Sequence, residues 1–201
     1  MNSLTRTLPL ALGLSLLSSA ALAKTFKVDS AHSNVGFSLK HLVISKVTGR
    51  FNDFGGTFVL DDKSHALTSA EGEIQTKSID TAQAKRDEHL RSPDFFGVDD
   101  KNPANPNNTI KFKLTEYKGD GKKGVATGNI TIHGVTKPIT LAVEIGGVVK
   151  DPQGSERAAF TADGKINRKD FGLTWNKALE AGGVVVGEEV SLHVEVEGIV
   201  P

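Results

Sequence analysis

The chain has 201 residues, in which 24 Lys and Arg residues balance 24 Asp and Glu residues, and it contains no Cys. The absence of Cys excludes disulfide frameworks, Cys-ligated metal sites and thiol nucleophiles. A formally neutral chain is a poor binder of phosphate backbones, so we expect no nucleic-acid partner.

Residues 1–23 have the features of a secretory signal peptide. Arg6 provides a positive charge, residues 8–17 form an apolar run, and small residues follow in an A-x-A pattern that ends at Ala23. The apolar run is about half the roughly 20 residues that a membrane-spanning helix needs. We therefore predict cleavage after Ala23, a periplasmic protein that does not span the membrane, and one mature domain of residues 24–201.

Alternation of apolar and polar residues recurs along the mature sequence and indicates strands with one dry face. In residues 34–41, for example, Val35, Phe37 and Leu39 share one face. Comparable runs occupy residues 24–29, 49–60, 70–77, 110–115, 124–133, 139–145, 157–166 and 189–197. This count predicts a mainly β fold, namely a single antiparallel barrel of eight or nine strands.

Two segments depart from the strand pattern and predict one or two short helices. Residues 81–90 are rich in helix formers, with Asp80 or Thr81 as the predicted N-cap and Pro93 just beyond the end. A second short helical turn is predicted at residues 175–180.

Three strands repeat the series Ala-x-Gly-x-Ile, starting at Ala70, Ala126 and Ala162. If these faces point inward, their small residues leave part of the barrel interior unfilled. In the other interpretation, glycine relieves crowding where barrel strands coil sharply, and no void results. The two interpretations are compatible, because an eight-stranded barrel is just wide enough to be filled or to hold one small ligand.

The His residues form no recognisable catalytic or metal-binding motif. His32 and His41 are nine residues apart, and neither an H-x-H nor an H-E-x-x-H pattern occurs. Asp29, His32 and Ser33 lie close in sequence, but a turn at a strand entry explains them better than a hydrolytic triad does. We predict no cofactor, no metal and no enzymatic activity, while a zinc site assembled from separate strands stays open as an alternative.

Arg86 and His89 are three residues apart and share one face of the predicted helix. In one interpretation this helix is solvated, and Leu90, Phe95 and Phe96 plug one end of the barrel. In the alternative, Arg86 or His89 faces the mouth of a cavity and contacts a polar or anionic head group. With His41, they are our candidate contacts for such a head group.

Five motifs follow one another along the mature chain. They are Asp29-x-x-His32-Ser33-x-x-x-Phe37-x-x-x-His41, Gly49-Arg50-Phe51, Arg86-Asp87-x-His89-Leu90, Gly128-x-Ile130-Thr131-Ile132-x-Gly134 and Arg168-x-Asp170-Phe171-Gly172. In this order they resemble the YceI-like family of exported polyisoprenoid-binding proteins. The resemblance implies an extended lipocalin-like barrel around a long apolar ligand, such as an isoprenoid chain or an isoprenoid quinone. It also implies a homodimer, because members are often dimeric, and it brings no established catalytic activity.

The hypothesis that follows is a periplasmic carrier that shields a long-chain amphiphile from water. Trp175 is interpreted as a further lining residue that acts as a gate or as a plug of the barrel end. The alternatives are an accessory protein of a membrane quinone or cytochrome system, and a His-dependent hydrolase. The candidate lining residues, each of which would equally suit a solid core, are Phe37, Phe58, Ile74, Phe112, Ile130, Leu141, Phe160, Ile166, Leu192 and Val194.

Overall fold

The computed structural model describes residues 23–179 and 182–201. Its strands are β1 (Ala23–Val28), β2 (Asn34–His41), β3 (Ser45–Phe51), β4 (Phe54–Asp61), β5 (Leu67–Gln75), β6 (Ile79–Asp80), β7 (Thr109–Gly119), β8 (Lys123–Ile132), β9 (Val135–Lys150), β10 (Glu156–Asn167) and β11 (Val186–Ile199). Helix α1 spans Ala84–Arg91, and short 3₁₀ turns occupy Thr76–Ser78, Pro106–Asn108 and Arg168–Phe171. The predicted signal peptide lies outside the described residues, except for Ala23 at the start of β1.

Eight of the strands close into an antiparallel barrel in the order β1-β4-β5-β7-β8-β9-β10-β11, and β11 pairs back with β1. The predicted single antiparallel β-barrel is therefore confirmed. Three further strands extend its wall, because β2 pairs with β11, β3 with β2, and β6 with β3. Strand β11 is long enough to pair with β1 near Ile199 and with β2 from Val186 to Glu195.

The prediction of one strand over residues 49–60 was wrong, because the chain bends at Asn52 and Asp53 and forms two strands instead. The bend is held by hydrogen bonds from Asn52 N to Ser78 O and from Gln75 N to Asp53 O, at 3.1 and 2.9 Å. Asn and Asp favour such bends because their short side chains compete for backbone hydrogen bonds. The bend separates β3, which pairs with β2, from β4, which pairs with β1.

The predicted helix is present, but its cap is not the predicted one. Gln83 is the N-cap of α1, and its side chain accepts a hydrogen bond from Arg86 N. Asp80 instead accepts from Ala82 N, in a turn where Ala82 adopts a positive φ of 59°. The segment after residue 174 is not helical in its described part, where Ala178 forms a β-bridge with Val184. No helix among the described residues has the length and apolar character to cross a membrane.

The core lies inside the barrel, on the dry faces of its strands. Strand β9 shows the expected alternation, since Thr140, Ala142 and Glu144 are exposed between buried neighbours. Because the interior is built from strand faces alone, the sizes of the side chains decide how much of it is filled. The buried residues of β9 are Ile139, Leu141, Val143 and Ile145.

Candidate functional site

Two apolar cavities occupy the interior. The outer cavity, of about 240 Å³, lies beside α1 and the start of β11. The inner cavity, of about 180 Å³, lies deeper among the barrel strands. They share a belt of lining residues, which consists of Phe37, Phe51, Ile110, Ile132 and Leu192.

The order of lining residues along β11 shows how the cavities are arranged. Val190 lines the outer cavity, Leu192 lines both, and Val194 and Val196 line the inner cavity. Strand β2 repeats the order in the opposite chain direction, as antiparallel pairing requires. The two cavities therefore follow one another along the barrel, and the shared belt of side chains lies between them.

All of the apolar residues predicted from the sequence line this space. Phe37 and Leu192 belong to the belt, and Ile166 and Trp175 line the outer cavity. Their contact with a ligand stays a prediction. The predicted residues that line the inner cavity and not the outer one are Phe58, Ile74, Phe112, Ile130, Leu141, Phe160 and Val194.

The glycines of the Ala-x-Gly-x-Ile series have different roles. Two of them relieve crowding between strands, and one borders unfilled space. A Cβ on Gly128 would lie 2.5 Å from the Phe112 ring, and one on Gly164 would lie 2.4 Å from Leu141. These glycines therefore make room for a side chain of the neighbouring strand. A Cβ on Gly72 would meet only the Gly55 carbonyl oxygen, at 3.5 Å, and Gly72 itself lines the inner cavity.

An aromatic cluster borders the outer cavity. The His89 ring packs edge-on against Trp175 and Phe95, with ring centroids 4.9 and 5.1 Å apart. His89 also hydrogen-bonds through Nε2 to Asp94 at 2.8 Å, and 41% of its side chain is exposed. His89 thus lines the outer cavity and also reaches solvent, and we call this end of the cavity its mouth. Trp175 therefore lines the outer cavity and also lies at the barrel end, so its role as a gate or as a plug stays a prediction.

Arg86 lines the outer cavity as well, but much of its guanidinium is occupied within the protein. Its Nε donates to Thr81 Oγ1 and its Nη2 to Thr81 O, each at 2.7 Å. The buried Asp87 carboxylate in turn accepts hydrogen bonds from the Thr81 N–H and hydroxyl. This network fastens α1 to the segment after β6. His41 is half-buried at the end of β2 and lines the same cavity.

Arg168 is a lining residue to which the sequence analysis assigned no role. It is only 4% exposed, and its guanidinium donates to the backbone carbonyls of Leu173, Val186 and Gly187. Burial lowers the pKa of Arg168 from its usual value. The residue begins the fifth sequence motif, which was the signal available, but only the fold shows that it ties the 3₁₀ turn to the start of β11.

Asp29, His32 and Glu197 form the one group of three potential metal ligands among the described residues. Arg157 Nη1 lies between the acids, 2.9 Å from Asp29 Oδ2 and 2.6 Å from Glu197 Oε1. A guanidinium therefore takes the position that a cation would need. Ser33 Oγ bonds to the backbone of Asp29 and Glu197, as expected for a strand-entry turn and not for a nucleophile.

Several lining residues were missed by the sequence analysis. Phe51 was overlooked because the strand assigned to it also contained the bend at Asn52. Leu39 and Val47 belong to visible period-2 runs, so alternation was a signal for them. Other missed residues also lie on strands, among them Ile110, Ile132 and Val190, and alternation was visible there too. Leu173 and Val185 come from loops, where periodicity gives no warning.

Comparisons with known proteins agree with this architecture. A UPF0312 protein of Pseudomonas aeruginosa is 40% identical over 193 residues, which cover 94% of this chain and 95% of the relative. The crystal structure of the Campylobacter jejuni YCEI protein is 36% identical with a TM-score of 0.66, and covers 85% of this chain and 95% of that one. A polyisoprenoid binding domain from Saccharophagus degradans shares the fold at 13% identity, with a TM-score of 0.61 over 88% of this chain and 98% of that one.

The family model described as the YceI-like domain matches residues 26–198, which is nearly the whole described chain. The match includes all of the barrel strands apart from their outermost residues. The chain therefore belongs to the YceI-like family.

Proposed function

We propose that this protein is a periplasmic carrier that holds the apolar tail of a long-chain amphiphile, a polyisoprenoid or an isoprenoid quinone, inside its barrel. The observation that carries the proposal is the pair of apolar cavities that follow one another along the barrel and share one belt of side chains. A ligand that fills both must be long, narrow and apolar. The name of the distant Saccharophagus degradans neighbour, a polyisoprenoid binding domain, supports this ligand class.

The energetics favour the tail as the source of affinity. Ten buried methylene equivalents contribute about 8 kcal/mol before ordering is subtracted, at about 0.8 kcal/mol each. A partly exposed charge contact at the mouth contributes only about 0–1 kcal/mol. In this proposal the tail lies in the cavities, and a polar head group rests at the mouth near His89.

Organic extraction of the purified protein followed by mass spectrometry tests the proposal. We expect the wild-type protein to release a long-chain amphiphile. Leu192→Trp adds a bulky ring at the belt, and it should lower the extracted amount at least about tenfold, because overpacking a filled passage costs about 1–3 kcal/mol. Glu195→Trp is the matched control, since Glu195 lies on the outer face of the same strand and should leave the yield unchanged.

Three results would contradict the carrier function. The first is an extract without lipid together with no binding of an added isoprenoid quinone. The second is a lipid-free protein that co-purifies with a quinone or cytochrome enzyme, which would favour the accessory role. The third is hydrolytic turnover that disappears when His32 or His89 is replaced.

A further inference from the structure

The turn between β2 and β3 carries the most exposed apolar side chain of the described barrel. Ile44 is 84% exposed and Val43 is 60% exposed, and both lie in a loop of three residues between His41 and Ser45. Single exposed aliphatic residues are common on protein surfaces. Two adjacent ones at the tip of a hairpin form a small apolar protrusion, which we call the apolar tip.

The backbone of the apolar tip is poorly suited to its residues. Leu42 and Val43 have φ values of 51° and 66°, in the left-handed region that hairpin turns usually fill with Asn or Gly. A β-branched residue such as Val43 is a genuine outlier there. The chain thus presents aliphatic side chains at a turn whose geometry favours small polar ones, which is unexpected if the tip only reverses the chain.

The apolar tip adjoins the mouth of the barrel. Leu42 N donates to Val185 O at 2.9 Å, and a methyl group of Val43 lies close to Gly183. His41 and Val185, on either side of this contact, both line the outer cavity. A surface that the tip contacts would therefore lie next to the opening through which a ligand enters.

Basic residues flank the apolar tip. Lys40 and Lys46 are directly opposite each other on β2 and β3, and Lys177 lies over the Trp175 ring, 6.0 Å from its centroid. Within residues 23–179 and 182–201, none of the three lysines forms an ion pair. Cations around an apolar protrusion match a bilayer whose surface carries anionic head groups.

We infer that the apolar tip docks the protein onto an anionic lipid bilayer, with Val43 and Ile44 entering the interface and Lys40 and Lys46 contacting the head groups. The mouth beside His89 then faces the membrane from which a ligand is taken or to which it is delivered. This role deepens the proposed carrier function and rests on it. The charged flanks favour a bilayer over a second copy of this chain, because two copies would bring their lysines together.

Co-sedimentation of the mature protein with vesicles tests the docking. Vesicles of phosphatidylethanolamine with phosphatidylglycerol should bind the protein, and vesicles of phosphatidylcholine should bind it less. Val43→Asn combined with Ile44→Ser should lower the partition coefficient at least about tenfold, since two aliphatic side chains no longer leave water. Asn tolerates the positive φ, so this variant should fold at least as well as the wild type.

The matched apolar control is Val125→Ser combined with Val149→Ser. These valines are also exposed, but they lie at the ends of β8 and β9 far from the outer cavity, so vesicle binding should persist. Lys40→Glu with Lys46→Glu should abolish the preference for anionic vesicles. Added salt should weaken wild-type binding, because it screens exposed charges.

Equal vesicle binding by the wild type and the apolar-tip variant would overturn the docking role. So would a variant that changes only the oligomeric state in analytical ultracentrifugation, which would assign the tip to a second copy. Lipid extraction separates these failures from a failure of the carrier function. We expect the apolar-tip variant to lose vesicle binding and still yield the extracted amphiphile. This result would show that it keeps the carrier function and lacks only the docking.

Discussion

At the scale of single residues, Arg157 joins three acidic groups from different parts of the chain. It contacts Asp29 before β2, Asp151 in the turn before β10, and Glu197 on β11. Its own side chain is 24% exposed, so these pairs are partly shielded from water. The hydrogen bond from His32 and the contact with Arg157 lower the pKa of Asp29 to about 2. Asp29 is therefore charged across the physiological range and holds the strand-entry turn against β10.

This lowered pKa predicts an acid-dependent loss of stability. A carboxyl whose pKa falls on folding stabilises the native state above its unfolded pKa, which is about 4, and the stabilisation disappears as the pH falls towards 2. The difference in free energy of unfolding between wild type and Asp29→Asn should therefore be largest near neutral pH and shrink over this interval. Urea denaturation at a series of pH values measures it.

Asp100→Asn provides the comparison for that experiment. Asp100 is 69% exposed, and among the described residues its one ion pair is with Lys77, at 3.7 Å, so its removal should change stability little at any pH. A constant difference between wild type and Asp29→Asn down to about pH 2 would show that Asp29 does not act through its charge.

At the scale of strands, the Ala-x-Gly-x-Ile series determines where side chains fit inside the barrel. Gly128 accommodates the Phe112 ring from β7, whereas Gly72 leaves its space to the inner cavity. The same five-residue pattern thus coincides with a filled interior on one strand and with a cavity on another. The neighbouring strand, and not the pattern itself, decides between the two outcomes.

This difference predicts opposite results for one substitution at two equivalent positions. Gly128→Ala places a methyl group 2.7 Å from the Lys113 carbonyl oxygen as well as against Phe112, and backbone cannot move aside easily. We expect a loss of about 1–3 kcal/mol in the free energy of unfolding. Gly72→Ala meets ordinary contact only and should be nearly neutral. Urea midpoints that shift equally in the two variants would contradict this account.

At the scale of the whole molecule, the barrel keeps an apolar space that its own side chains do not fill. Interiors without a cavity gain dispersion contacts that the walls of an empty space lack. A ligand in this space would therefore supply dispersion contacts that stabilise other domains through a filled core. Strand β11 closes the barrel by pairing with both β1 and β2, and this closure keeps the space enclosed when no ligand is bound.

Removal of a bound amphiphile should consequently destabilise the protein. A ligand that binds only the folded state and is present at 100 times its dissociation constant adds about 2.7 kcal/mol. We expect the delipidated protein to melt at a lower temperature in calorimetry and to recover when an isoprenoid quinone is added. A lipid with the same head group but a short tail, which fills only the outer cavity, should restore less of the melting temperature. Identical melting before and after extraction of a detected lipid would contradict this expectation.

Much of the fold could be predicted from the sequence, but the division of its strands could not. Period-2 alternation identified the dry faces, including that of β9, because it records which side of each strand is buried. The alternation changes phase between Phe51 and Phe54, but a bulge within a single strand causes the same shift, so the pattern did not reveal the bend between β3 and β4. Pairing depends on residues distant in the chain, such as Phe51 with Val35, and a local pattern does not contain that information.

The candidate site divides in the same way. The sequence by itself determined the β class, the apolar residues that face inward and the glycines that allow space between them, because these depend on side-chain size and alternation. Only the tertiary structure decided that Gly72 borders a void while Gly128 does not, that Arg168 is buried against carbonyls, and that the exposed Ile44 stands beside the mouth. These features arise where segments distant in the chain come into contact, and the closure of the barrel determines which segments do so.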